Sequence, residues 1–204
     1  MDLSLLARAV GLGFAIAAAV GPISLLTIRR TLVHGQTYGL VSGLGVALAD
    51  ATYAGIAAFG LTAVTSVLVG GRVALGAAGG AILVWLGART LLSHPPAAAT
   101  DAARPGLVAA FGSIYALTMS NPMTILSFAA LFAALGVSRG TVADAVALTL
   151  GVLVGSALWW LVLTTVVGRL RSRVTARGLT WVNRISGALI LAFGVAAIVA
   201  VVQG

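Results

Sequence analysis

Residues 17–24, Ala-Ala-Ala-Val-Gly-Pro-Ile-Ser, and residues 117–124, Leu-Thr-Met-Ser-Asn-Pro-Met-Thr, decide how this chain folds. Each sets a proline inside an apolar run: Pro22 behind Gly21, and Pro122 behind Asn121. The other three prolines (Pro95, Pro96 and Pro105) fall in the one long polar stretch, which divides the chain into halves of similar length. Matched interruptions in two hydrophobic halves are the sequence mark of a transporter's binding site.

The runs around these breaks need a membrane. Hydrophobic residues make up 60% of the 204, charged residues only 8%, and mean hydropathy is +1.13. A soluble domain of this length has no use for so much apolar surface. The net charge of +8 comes from twelve Arg, no Lys and four Asp. No basic patch alternates with stacking aromatics, so nucleic acid is not the expected partner. Without cysteine there is no disulfide, thiol relay or Cys metal site, and no cofactor is expected. Leu3 to Val20 has the apolar core of a signal peptide, but Asp2 stands where a basic region would precede it. It is expected to be a retained helix.

Six runs are long enough to cross about 30 Å of hydrocarbon, with helices expected near 5–28, 38–63, 72–92, 107–135, 142–167 and 181–202. None shows the alternation of a barrel strand, so the chain reads as an all-α polytopic membrane protein. Gly79–Ala88 (GGAILVWLGA) aligns without gaps with Ser186–Val195 (SGALILAFGV), matching Gly80, Ala81 and Gly87 to Gly187, Ala188 and Gly194. With the proline pairing, this predicts a first three-helix repeat over 1–93, a Pro/Ala-rich linker over 94–106 and a second repeat over 107–204. Three is odd, so the second half enters the membrane upside down. The result is a 3+3 inverted-topology repeat.

Arginine sets the orientation. The ends after helices one, three and five hold Arg29, Arg30, Arg89, Arg104, Arg169, Arg171, Arg173, Arg177 and Arg184; the other side holds Arg8, Arg72 and Arg139. Nine against three places both termini outside the cytoplasm.

Asp50 is the one acidic residue near a helix centre. A carboxylate there costs about 2.5–3.5 kcal/mol on insertion scales, so it should face protein or water. Gly43, Ala47, Asp50 and Ala54 share a face at helical spacing, a small-residue stripe that admits another helix. Tyr53, one turn on, is within reach of the carboxyl. The functional reading makes Asp50 a proton acceptor or a counter-charge; the alternative is a protonated Asp bonded to a neighbouring helix.

Pro22 deprives the Ala18 carbonyl of its helical donor, and Pro122 does the same to Thr118. Freed carbonyls suit ammonium groups or cations, and exposed N–H groups suit carboxylates; an amino acid carries both charges. Asn121 adds a donor and an acceptor, with Thr118 and Thr124 a turn away. The rival reading is that both prolines only kink helices for packing. The pairs Gly39/Gly43, Gly76/Gly80 and Gly151/Gly155 have GxxxG spacing, which serves packing within the fold or a homodimer interface. Trp159 and Trp160 lie deep in helix five, away from the interfacial belt, with core filling the expected role. His34 and His94 are far apart in loops and suggest neither metal nor catalysis.

Gly21-Pro22, then Gly35, Gly39, Gly43 and Gly45 leading to Asp50, then Asn121-Pro122, then Gly187-Ala188 form an ordered set across nearly the whole chain. This set resembles the lysine-exporter (LysE) translocator family of small amino-acid exporters. The resemblance implies export of amino acids or related small metabolites across the inner membrane, driven by the proton motive force. It also implies that Asp50 and both proline motifs line the transport pathway. Many members follow the Asn-Pro pair with Lys and Ala, whereas here Met123-Thr124-Ile125 follows. The departure points away from lysine or arginine as substrate.

The expected function is therefore secondary active export, with a small molecule, protons and the lipid bilayer as partners. One carboxylate and freed carbonyls would serve sodium as well as protons. A non-transporting helical subunit of a membrane complex is the alternative. An enzyme is less suited still: a hydrolase would need a base and an orienting group at the depth of its nucleophile, and no intramembrane His or second acid exists.

Overall fold

The computed structural model describes residues 3–18, 21–59, 71–92, 106–121, 124, 128 and 141–203. Helices α1 (Leu3–Ala17), α2 (Pro22–His34), α3 (Gln36–Ala58), α4 (Arg72–Leu91), α5 (Leu107–Met119), α6 (Val142–Leu170) and α7 (Ala176–Gln203) make up the fold, with a 3-10 turn at Arg171–Arg173. No strand occurs among the described residues.

The first run departs from expectation. One helix over 5–28 is in fact two, and the chain breaks between Ala17 and Pro22. Proline supplies the reason. Inside a helix its ring would clash and its missing N–H would orphan a carbonyl; at the first helical position that N–H has no partner to lose. Pro22 takes that position, with Gly21 as N-cap. At the other end of α2 the chain turns into α3 through Gly35, whose φ of 100° lies in the region only glycine enters cheaply.

Three helices are long and apolar enough to cross a membrane among the described residues: Gln36–Ala58, Val142–Arg173 and Thr180–Ala200. A fourth span forms if α1 and α2 count as one bent pair. Helices α4 and α5 supply shorter apolar stretches, Ala77–Leu91 and Leu107–Met119. The thirteen residues of α5 reach about 20 Å at 1.5 Å each. Most of the rest of the expected fourth run, like the last residues of the second, lies outside the described residues. The third and fifth expected helices begin and end close to their bounds, the second begins close to its own, and the sixth starts earlier, at Ala176.

Glycine sets how closely the helices approach. A methyl built on Gly43 of α3 would lie 2.5 Å from Cβ of Trp160 on α6. On the α1 side of α6, Gly151 meets Ala9 and Leu6, and Gly155 meets Val10 and Phe14. Helix α6 is thereby wedged between α1 and α3. Gly39 faces Thr31 of α2. The pairs Gly39/Gly43 and Gly151/Gly155 therefore pack within the chain.

Helices α4 and α7 cross through the two aligned segments. A methyl on Gly87 would stand 2.5 Å from the backbone nitrogen of Leu191, and one on Gly187 2.5 Å from that of Leu91. Gly80 and Gly194 approach each other's carbonyl oxygens in the same way. Leucine at either 87 or 187 has backbone, not a flexible side chain, in its path. Overpacking of this kind costs about 1–3 kcal/mol. Gly87→Leu is expected to lower the unfolding temperature in detergent and the yield of monodisperse protein, whereas Gly112→Leu, with nothing within 4 Å of its Cβ, should leave both near wild type.

The outer surface is apolar. Trp181, Ile185, Leu189 and Phe193 expose a row along α7, and Leu150, Val154, Leu158 and Leu161 another along α6. Trp85, 58% exposed, lies under the Arg89 guanidinium at 5.4 Å, an arrangement of the membrane–water interface.

Candidate functional site

Asp50 is 3% exposed and sits where α3 meets α6. Ser156 donates its hydroxyl hydrogen to Asp50 Oδ2 at 2.8 Å. Sequence reading missed this partner. The signal was a hydroxyl in the acid-free stretch Gly151–Trp160 of α6, and nothing local distinguished it from a helix-packing serine.

The carboxyl lies where two apolar clusters part. One contains Val46 and Ala47 of α3, Trp160 of α6, Ala17, Ile23 and Leu117. The other contains Tyr53 and Ala54 of α3, Val152 and Leu148 of α6, Ala9 and Phe128, with Ile16 and Met119 packed against it. Along α3 the buried members run cluster, Asp50, cluster; along α6 they run cluster, Ser156, cluster, with Leu153 already against the Trp160 side. Both breaks adjoin the same division. Ile16 and Ala17 end α1 on opposite sides of it, and so do Leu117 and Met119 at the end of α5. A polar pair buried between dry clusters is placed where a charge is most costly to leave unsupported.

Tyr53 does not bond the carboxyl. Its hydroxyl donates to the Met119 carbonyl, and its ring stacks on Phe128 with centroids 5.6 Å apart. The reason is that α5 stops at Met119, so this carbonyl needs a donor from outside its helix. Thr118 is 1% exposed; its hydroxyl donates to Ile114 at 2.8 Å, and its carbonyl accepts from the Asn121 N–H at 3.1 Å. The carbonyl that Pro122 deprives is thus served by a tighter turn. Asn121 and Thr124 are half-buried, and Pro122 itself lies outside the described residues.

The first break is different in kind. Gly21 provides no side-chain cap for α2, and Pro22, Ile23 and Ser24 are buried. The Gly21 carbonyl accepts from Leu25 at 3.1 Å, and the Ala18 N–H donates to Phe14 at 2.9 Å. A buried helix N-terminus carries the positive end of the helix dipole. One break therefore opens a helix and the other closes one.

At the arginine-rich end, α2 is held from three sides. Arg30 donates to Ser42 Oγ at 3.0 Å, the Ala110 carbonyl at 2.9 Å and Ser113 Oγ at 3.0 Å, and lies 5.9 Å from the Tyr38 ring centroid. Arg29 donates to Asn183 Oδ1 of α7 at 2.9 Å. Arg171 donates to the Leu32 and Val33 carbonyls at 2.8 and 3.1 Å, serving the last carbonyls of α2. Asp144 completes a capping box with Thr141 at the start of α6, which gives it a structural role. His34, expected in a loop, is the last residue of α2 and packs on Tyr38, and no group of potential metal ligands occurs among the described residues.

The profile of the LysE type translocator family matches residues 14–200. The chain is 33% identical over 177 residues to the "Chemotactic transduction protein ChpE" of Pseudomonas aeruginosa, covering 83% of this chain and 85% of that one. It is 24% identical over 189 residues to the "Putative amino acid efflux protein YcgF" of Bacillus subtilis, covering 90% of each. No solved structure matches. A buried polar seam between apolar helices, flanked by two chain breaks, is the kind of core a membrane translocator needs, and the chain belongs to the LysE type translocator family.

Proposed function

We propose that this translocator is a secondary active exporter of amino acids or related small metabolites across the inner membrane, coupled to the proton motive force. The observation that carries this is the Asp50–Ser156 pair, buried between two apolar clusters and adjoined by both chain breaks. A carboxyl there takes up a proton on one side of the membrane and releases it on the other as the seam opens alternately. The uncapped start of α2 suits a substrate carboxylate, and carbonyls at the breaks suit an ammonium group. The name of the Bacillus subtilis relative supports amino-acid efflux.

The inverted repeat is part of the same reading. Contacts Gly80–Gly194 and Gly87–Gly187 exchange with each other when the two aligned segments are swapped, as a two-fold axis in the membrane plane requires. Helix α6 runs parallel to α1 and antiparallel to α3, judged by which residues meet. Helix α5 runs parallel to α3, with Gly45 against Phe111 and Tyr53 against Met119. Those directions fit six alternating crossings, and the pairs α1–α6 and α3–α5 exchange under the same swap. Both termini are then outside the cytoplasm, with the arginine-held end of α2 inside.

The test is counterflow in proteoliposomes holding the purified chain alone, screened with the twenty common amino acids. Saturable exchange of at least one is expected. Exchange of none would overturn the reading and favour a subunit that works only within a larger complex.

A further inference from the structure

Trp160 is 1% exposed and sits one turn from Ser156, on the face of α6 that meets α3. Its Cβ fills the notch left by Gly43. It belongs to the apolar cluster that holds Ala17 and Ile23, residues close on either side of the first break. Its indole Nε1–H is buried and has no hydrogen-bond partner among the described residues.

A buried donor left so costs about 1–3 kcal/mol, and a phenylalanine ring fills much of the same space without that cost. Core filling accounts for the ring and leaves the nitrogen unexplained. Trp159 beside it also has an unpartnered indole N–H, but its ring stands edge-on to Phe14 of α1 at 5.3 Å. Trp159 packs against the cluster from its partly buried margin, whereas Trp160 is a buried member of it, fitted into the Gly43 notch of the helix that carries Asp50.

We propose that the Trp160 indole N–H is a substrate-recognition donor that, with the uncapped N-terminus of α2, holds the carboxylate of the transported molecule. This rests on the exporter reading above. The neutral donor suits the site: it binds a carboxylate without adding a second fixed charge beside Asp50, and a cation there would pair with Asp50 and compete with its proton. The unsatisfied N–H raises the energy of the empty site and is relieved when substrate binds, so selectivity falls on substrates that carry an acceptor at that point.

The experiment uses Trp160→Phe in counterflow, with whichever of the twenty amino acids the wild type exchanges fastest. Loss of a hydrogen bond to a charged group corresponds to about a tenfold or greater rise in half-saturating concentration, with the unfolding temperature of the empty protein unchanged or raised. Trp159→Phe should leave half-saturation as it is. In parallel, the indole 15N–1H resonance of Trp160 in the otherwise wild-type protein is followed during titration with the same amino acid. It is assigned by elimination using Trp85→Phe, Trp159→Phe and Trp181→Phe, so a poorly folding Trp160→Phe does not remove the test. A downfield shift of that resonance is expected. Unchanged half-saturation in Trp160→Phe, or an indole resonance that does not respond to saturating amino acid, overturns the inference while leaving the exporter intact. If the wild type exchanges none of the twenty, the exporter reading falls and takes this inference with it.

Discussion

Asp50→Asn is expected to reduce efflux driven by a pH gradient to that of protein-free liposomes, while the protein remains folded. The two side chains have nearly the same shape, and the amide oxygen accepts the Ser156 hydroxyl as the carboxylate does at 2.8 Å. Packing against Ala47 and Ala54, both fully buried, is undisturbed. What disappears is the carboxyl that, on the proposed reading, exchanges a proton. The unfolding temperature in detergent should therefore stay within a few degrees of wild type, since about 1 kcal/mol moves a domain of this size by roughly 2–4 °C. Exchange of labelled for unlabelled amino acid, which needs no net proton movement, should survive at reduced rate. Coupled efflux at the wild-type rate would exclude Asp50 as the proton carrier. Ser156→Ala separates position from chemistry. It keeps the carboxyl but removes the donor to it, and a hydrogen bond to a charged group contributes about 1.5–3 kcal/mol. That variant should retain coupling and lose speed.

Much of this arrangement is legible in the chain because membrane physics leaves few choices. Apolar runs in lipid must be helical, so helix bounds such as Arg72–Leu91 follow from where charge and polar loops begin. Asp50 is conspicuous because a buried acid is costly, and Pro22 because a missing N–H cannot be hidden in mid-helix. The extent of the break at Pro22 is less legible: proline can kink a helix or start one, and the choice depends on burial of α2 against its neighbours. Partners are the least legible. Ser156 lies 106 residues from Asp50, and serine is an ordinary packing residue in membrane helices. Tyr53 is correctly placed on the helix, yet its hydroxyl follows the Met119 carbonyl that α5 exposes by ending. A local sequence reading sees the nearer carboxyl and not the more distant unmet acceptor. The arginines illustrate the same gap. Their count gives an expected orientation, but only the fold shows that Arg30 reaches two other helices.

Arg30→Ala is expected to release the arginine-rich end of α2. The guanidinium ties α2 to α3 through Ser42 and to α5 through Ala110 and Ser113. The serines do not need it for their own satisfaction. Ser42 also donates to the Tyr38 carbonyl at 3.0 Å and Ser113 to that of Ala110 at 3.2 Å. The variant therefore leaves no orphaned hydroxyl, and its main effect is on how firmly α2 is held. Arg29 and Arg171 still hold its flank and its last carbonyls, so local opening is favoured over unfolding. The absence of native cysteine makes this measurable. Thr31 is fully buried against Gly39, and Thr31→Cys should resist a membrane-impermeant maleimide in the otherwise wild-type chain. With Arg30→Ala added, labelling should accelerate by about tenfold or more, equivalent to about 1.4 kcal/mol of lost holding energy. Arg30→Lys keeps the charge but not the planar fork that meets three oxygens at once, so its labelling rate should fall between the two. A cysteine at 31 that stays equally protected in all three backgrounds would mean that α2 is held by its apolar packing and not by Arg30. Faster labelling accompanied by faster counterflow would place the opening of this end on the transport cycle, with the arginine holding the closed arrangement that must loosen before a cytoplasmic substrate can reach Asp50.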